Sequence, residues 1–164
     1  MALQEILDQV AVYNARYVTV TGGEPLAQPE CHSLMTALCD AGYEVSLETS
    51  GALPIGDVDT RVSVVLDLKT PDSGECHRNL YENIPHLKSI DQVKFVICSR
   101  SDYEWSRFKV DEYQLTVKVD DVLFSPSHGQ IQAAELAQWV LDDQLDVRFQ
   151  MQLHKLLWAD EPGR

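Results

Sequence analysis

The stretch Tyr17-Val18-Thr19-Val20-Thr21-Gly22-Gly23-Glu24-Pro25 decides the fold. Four β-branched residues in a row read as a strand, because branched side chains suit a pleated surface. Two glycines and a proline then end it abruptly. Upstream, Leu3, Ile6, Leu7 and Val10 recur at helical spacing, so the first dozen or so residues read as an amphipathic helix. Downstream, Pro29 suits the first turn of a helix and Gly42 its end, with Cys31, Leu34, Met35 and Leu38 as one apolar stripe.

The same alternation continues to the end of the chain. Strands are expected at Glu44 to Glu48, Ser63 to Leu68, Val93 to Cys98, Asp121 to Ser125 and Val147 to Leu153. Ser101 to Glu104 has the form of a capping box, opening a helix to about Tyr113, and Ala133 to Leu141 reads as another. Residues 76–87 fit either a short helix or a loop. Strands alternating with helices imply a parallel sheet with right-handed crossovers. Several strands read as apolar on both faces, as expected under helices.

The chain has 164 residues, 45% hydrophobic and 24% charged, which suits one domain over residues 1–164. Twenty-six acidic residues against 13 Lys plus Arg give a formal charge of −13. That argues against nucleic-acid or anionic-membrane binding, which rest on clustered cations. Cys31, Cys39, Cys76 and Cys98 are too far apart for a zinc or cluster motif. No signal peptide or membrane span is evident, and a cytoplasmic protein with reduced thiols is expected. Walker, GxGxxG, GxSxG and HExxH motifs do not occur.

In parallel α/β folds function gathers after the carboxyl ends of the strands. This places Thr21 to Pro25, Glu48-Thr49-Ser50-Gly51, Asp67-Leu68-Lys69, Ser125-Pro126-Ser127 and Gln152-Leu153-His154-Lys155 in one cleft. Gly22 and Gly23 let backbone approach a ligand, and Glu24 can accept from an ammonium group. The same residues also fit a tight turn with an acid near a helix start. Glu48 suits a general acid or base, or a ligand for an amidine edge. Thr49 and Ser50 offer hydroxyls, or form an ordinary polar turn. Lys69 can reach an anionic or ribose group, or pair with Asp67. His154 is either a packing residue or a site residue beside Gln152 and Lys155.

Taken in order and spacing, Val-Thr-Gly-Gly-Glu-Pro (20–25), Glu-Thr-Ser-Gly (48–51), Asp-Leu-Lys (67–69), Phe-Ser-Pro-Ser (124–127) and Leu-His-Lys (153–155) resemble 7-carboxy-7-deazaguanine synthase. That family comprises radical S-adenosylmethionine enzymes of queuosine and deazapurine biosynthesis. The resemblance implies a partial TIM-like barrel, with parallel strands, helices outside and the first strand missing here. It implies that Gly22, Gly23 and Glu24 hold the amino-acid end of S-adenosylmethionine. Ser50 and Lys69 approach its ribose or carboxylate, and Ser125 lines the nucleoside side. Thr21, Glu48 and His154 face the pterin, with Glu48 and His154 as catalytic residues.

In such enzymes a reduced [4Fe–4S] cluster cleaves the cofactor to a radical that takes a hydrogen from 6-carboxy-5,6,7,8-tetrahydropterin. Ring contraction with loss of ammonia gives 7-carboxy-7-deazaguanine, and the family uses Mg²⁺. Its cluster cysteines lie upstream of the Gly-Gly-Glu element, where this chain has only a cysteine-free helix. The expectation is therefore a chain that holds no cluster and is inactive alone, and that either forms a homodimer through the edge of its first strand or covers that edge with a rearranged first helix. Many relatives also carry Ser-Pro-Lys where this chain has Asp67-Leu68-Lys69. Two rival readings are an activase-like radical S-adenosylmethionine protein and a non-catalytic barrel remnant acting as a binding module.

Overall fold

Alternating burial along the strands builds the sheet. In β2 (Glu44–Thr49), Val45, Leu47 and Thr49 are buried while Ser46 and Glu48 are not. In β3 (Ser63–Asp67) and β4 (Gln92–Ile97) the buried positions are Val64 and Leu66, then Val93, Phe95 and Ile97. Side chains alternate across a strand, so each strand gives one apolar face to the helices and the other to the barrel lumen. Of these strands only β5 (Asp121–Pro126) is buried on both faces, from Val122 onward. β2 alternates as expected, while the expectation of doubly apolar strands is narrowed for β3 and β4, whose lumen face carries Asp67, Gln92 and Lys94 beside Val65 and Val96.

The computed structural model describes residues 2–153 and 157. Its single sheet has six parallel strands in sequence order, from β1 (Tyr17–Val20) to β6 (Arg148–Phe149). This is the partial TIM-like barrel expected. Helices α1 (Leu3–Ala11), α2 (Cys31–Asp40), α3 (Arg100–Glu112), α4 (Leu115–Lys118) and α5 (Ala133–Asp142) accompany it. No helix among the described residues is long and apolar enough to cross a membrane.

The core lies between helices and sheet. α2 contributes Cys31, Met35 and Leu38, α3 Tyr103 and Val110, and α5 Leu136 and Val140. Phe124 meets Phe95 and Tyr103 edge-on at centroid distances of 5.5 and 5.9 Å. Burying one such aromatic stabilises the fold by about 1.5–3 kcal/mol. On α1, Leu7 and Val10 pack against this core, and the helix lies against α2.

Three local expectations differ from the structure, and one left open is resolved. α3 is capped by Ser99, whose hydroxyl accepts from the Asp102 amide, so Ser101 lies inside the helix. α2 starts at Cys31, leaving Pro29 just ahead of its cap. β6 is shorter than Val147 to Leu153. The ambiguous segment forms 3₁₀ turns at Cys76–Arg78 and Tyr81–His86, after an earlier one at Pro71–Ser73.

Candidate functional site

The loop after β1 turns on Gly22 (φ 104°) and Gly23 (φ 58°), both in the left-handed region that side chains disfavour. A Cβ built on either would meet no atom within 4 Å, so open space lies in front of the turn. The chain then runs through Glu24 into a 3₁₀ turn, Pro25–Ala27.

Glu24 does not point freely into that space. Oε1 accepts from the Leu26 amide at 3.2 Å and from the Thr49 hydroxyl at 2.8 Å. Oε2 accepts from the Ser50 amide at 2.9 Å and from the Ser50 hydroxyl. The loops after β1 and β2 are thereby tied through one carboxylate. Hydrogen bonds to a charged group are the stronger kind, so this junction is stiff. Gly51 follows with φ 70°, and its amide donates to Thr49 Oγ1 at 3.1 Å.

The loop after β3 is held differently. Lys69 Nζ donates to Asp67 Oδ2 at 2.8 Å. The Lys69 backbone is clamped by Asn79, whose Oδ1 accepts from Lys69 N at 2.9 Å while Nδ2 donates to Lys69 O at 2.8 Å. A second asparagine, buried Asn83, donates to Gly51 O and Leu53 O and accepts from Ile55 N. Both come from the segment whose sequence pattern was ambiguous, and both position the loops that line the site.

Two of the cavities at the carboxyl ends of the strands share lining residues. The smaller, about 150 Å³, is lined by Thr21, Gly22, Gly23, Glu48, Thr49, Ser50, Val65, Asp67, Lys69 and Lys94. The larger, about 470 Å³, is lined by Thr21, Glu48, Lys94, Ser125 and residues 150–153. Thr21, Glu48 and Lys94 border both. The structure thus brings Thr21, Gly22, Gly23, Glu48, Ser50, Lys69 and Ser125 to one region, with Glu24 bonded behind them. His154 lies outside the described residues.

Two polar atoms bordering this region are buried without a hydrogen-bond partner among the described residues: Asp67 Oδ1 and Ser125 Oγ. Lys94 was not anticipated. It projects from the lumen face of β4, with Nζ 4.0 Å from Glu48 Oε2 and Asp67 in register on β3. A lone cation inside the apolar run Gln92-Val93-Lys94-Phe95-Val96-Ile97 was the available signal.

The cysteines are dispersed. Cys31 is buried in the core, and burial pushes the Cys31, Cys39 and Cys98 thiols up, away from the thiolate form that binds metals. Among the described residues no three His, Cys, Asp or Glu side chains form a metal-holding group. These residues therefore offer no set of thiolates for an iron–sulfur cluster. The Gly22-Gly23 turn, open in front and flanked by orphaned polar atoms, does fit the close approach of S-adenosylmethionine.

Comparison with known proteins decides the family. The chain is 39% identical over 161 residues to a 7-carboxy-7-deazaguanine synthase of Chlorobaculum tepidum, covering 96% of this chain and 73% of that protein. It is 41% identical over 157 residues to one from Koribacter versatilis, covering 88% and 70%. The chain belongs to the 7-carboxy-7-deazaguanine synthase family. No family model matches it.

Among solved structures, Streptococcus suis SuiB bound to S-adenosylmethionine superposes with a TM-score of 0.64 at 16% identity. The match covers 98% of this chain and 44% of SuiB. SuiB bound to the precursor peptide SuiA gives 0.62, over 91% and 41%. This member of the synthase family therefore shares its fold with SuiB over less than half of the SuiB chain.

Proposed function

We propose that this chain carries the cofactor and substrate site of a 7-carboxy-7-deazaguanine synthase. The reaction converts 6-carboxy-5,6,7,8-tetrahydropterin to 7-carboxy-7-deazaguanine and ammonia, in queuosine biosynthesis. The observation that carries the reading is the Glu24 junction. It ties the Gly-Gly loop to Thr49 and Ser50 and leaves an open turn beside a polar lumen.

Gly22 and Gly23 would give their backbone to the amino-acid end of S-adenosylmethionine, in a shape set by Glu24. Ser50 and Lys69 would meet its ribose or carboxylate. Asp67 Oδ1 and Ser125 Oγ, orphaned at the cavity walls, would gain partners on the nucleoside side. When bound, S-adenosylmethionine supplies the radical chemistry, and the share of these residues is positioning and electrostatics. Thr21 and Glu48 would face the pterin in the larger cavity. Glu48 is exposed to the lumen, with Lys94 Nζ 4.0 Å away, and would hold or move a proton there. His154 remains the second catalytic residue of the proposal. Because the described cysteines do not gather, the chain would bind ligands without holding the cluster and would not turn over alone. A cytoplasmic homodimer completes the reading.

Calorimetric titration of the chain with S-adenosylmethionine and with 6-carboxy-5,6,7,8-tetrahydropterin tests it. Saturable one-to-one binding of both is expected. Binding of the cofactor without the pterin would assign the chain to another radical S-adenosylmethionine reaction. Binding of neither would leave a barrel without a ligand site.

A further inference from the structure

Among the described residues, Lys94 is a lysine that the fold holds at the barrel lumen without a hydrogen-bond partner. Its side chain is 17% exposed, yet its one acidic neighbour within 4 Å among the described residues, Glu48, stands at 4.0 Å, beyond hydrogen-bond distance. Asp67, in register beside it on β3, already accepts from Lys69 Nζ through Oδ2. Of the two described cations bordering the cavities, Lys69 is hydrogen-bonded, while Lys94 has only the longer ion pair to Glu48. An ammonium that faces a cavity with no protein hydrogen bond keeps its donors free, as expected where a ligand completes it.

We propose that Lys94 is a specificity-determining residue that binds the carboxylate of the pterin, an assignment resting on the function proposed above. Three considerations lead there. An ammonium is a compact point charge with three donors, suited to a carboxylate more than to the flat edge of a neutral ring. Glu48 would repel an anion entering the lumen, and a cation 4.0 Å away offsets that repulsion. Lys94 also borders both cavities, so a carboxylate held there sits where the substrate space meets the Gly-Gly turn. Glu48 then lies beside the ring atoms that flank the carboxylate.

The test compares 6-carboxypterin with pterin, which lacks only the carboxylate, by fluorescence titration of the wild-type chain and of Lys94→Met and Lys94→Arg. A charge-assisted hydrogen bond predicts that wild type favours 6-carboxypterin about tenfold or more. Lys94→Met should lose that preference while binding pterin as wild type does, which also reports an intact fold. Lys94→Arg should keep part of the preference. A Lys94→Met chain that still prefers 6-carboxypterin would overturn the assignment, as would one that loses both ligands equally. Wild type that binds neither pterin would instead overturn the pterin reading itself.

Discussion

Ser50 is bonded to Glu24 twice: its amide and its hydroxyl both donate to Oε2, the amide at 2.9 Å. Residues 26 positions apart in sequence are thus locked across two neighbouring strands. The shape of the Gly22-Gly23 turn is set from outside its own loop.

Removing the acceptor should release both loops. Glu24→Ala leaves the Ser50 amide and two hydroxyls without their partner, and should lower stability by about 1–3 kcal/mol. Glu24→Gln keeps one acceptor and should fall between. Urea unfolding measures the loss, and the S-adenosylmethionine affinity should drop in the same order. An alanine variant as stable as wild type would show that the junction holds nothing.

Two glycines should behave differently when changed to alanine. A Cβ at Gly51 would lie 2.8 Å from Leu66 Cδ1, a side chain with no exposure, at φ 70°. Gly51→Ala should cost about 1–3 kcal/mol through strain and overpacking. Gly22→Ala meets no atom, so only the backbone penalty of about 1 kcal/mol applies. Its methyl, however, would stand in the space assigned to the cofactor. Thermal unfolding should therefore rank Gly51→Ala as the less stable, and calorimetry should find Gly22→Ala the poorer binder relative to its stability.

Much of this architecture was legible because strands and helices announce themselves by period. The apolar positions of β2, β3 and β4 alternate, and Met35, Leu38, Leu136 and Val140 repeat at helical spacing. The glycine turn and the Ser50 hydroxyl were legible as chemistry. What escaped depends on partners distant in sequence. Asn79 and Asn83 act through backbone atoms of loops 10 to 32 residues away, which no local pattern encodes. Lys94 was absorbed into an apolar strand because its neighbours dominate the pattern. Ser101 satisfied the capping-box spacing as well as Ser99 did, and the Asp102 amide chose Ser99. α4 is a single turn after Gln114 at φ 52°, too short to show a period.

Thiol chemistry should follow burial. Cys31 is 4% exposed, and burial first, then the nearby Glu24 charge, raises its pKa. A thiol raised in the folded state is held neutral there. Its contribution to stability is whole below the unfolded thiol value, roughly 8.5, and is lost as pH climbs through the folded value. Stability should thus decline on the alkaline side, and iodoacetamide at mildly alkaline pH should modify half-buried Cys76 before Cys31. Mass spectrometry of timed samples reads the order. Equal rates at the two positions would contradict the packing of α2.

The outer edge of β1 bears on assembly. Among the described residues β1 pairs only with β2, α1 lies against α2, and Tyr17 is 66% exposed. An unpaired strand edge invites pairing with a second copy. Light scattering should report a dimer, and Tyr17→Pro, which removes an N–H from the outer edge while the Arg16 carbonyl keeps its bond from Glu44 N, should shift it toward monomer. A wild-type monomer at all concentrations would contradict the dimer.

The most direct measurement is a crystal structure of the chain with S-adenosylmethionine bound. The account predicts the amino-acid end against Gly22 and Gly23, the ribose near Ser50 and Lys69, and the nucleoside toward Ser125. Ligand density anywhere else on the barrel, or none at saturating concentration, would contradict it.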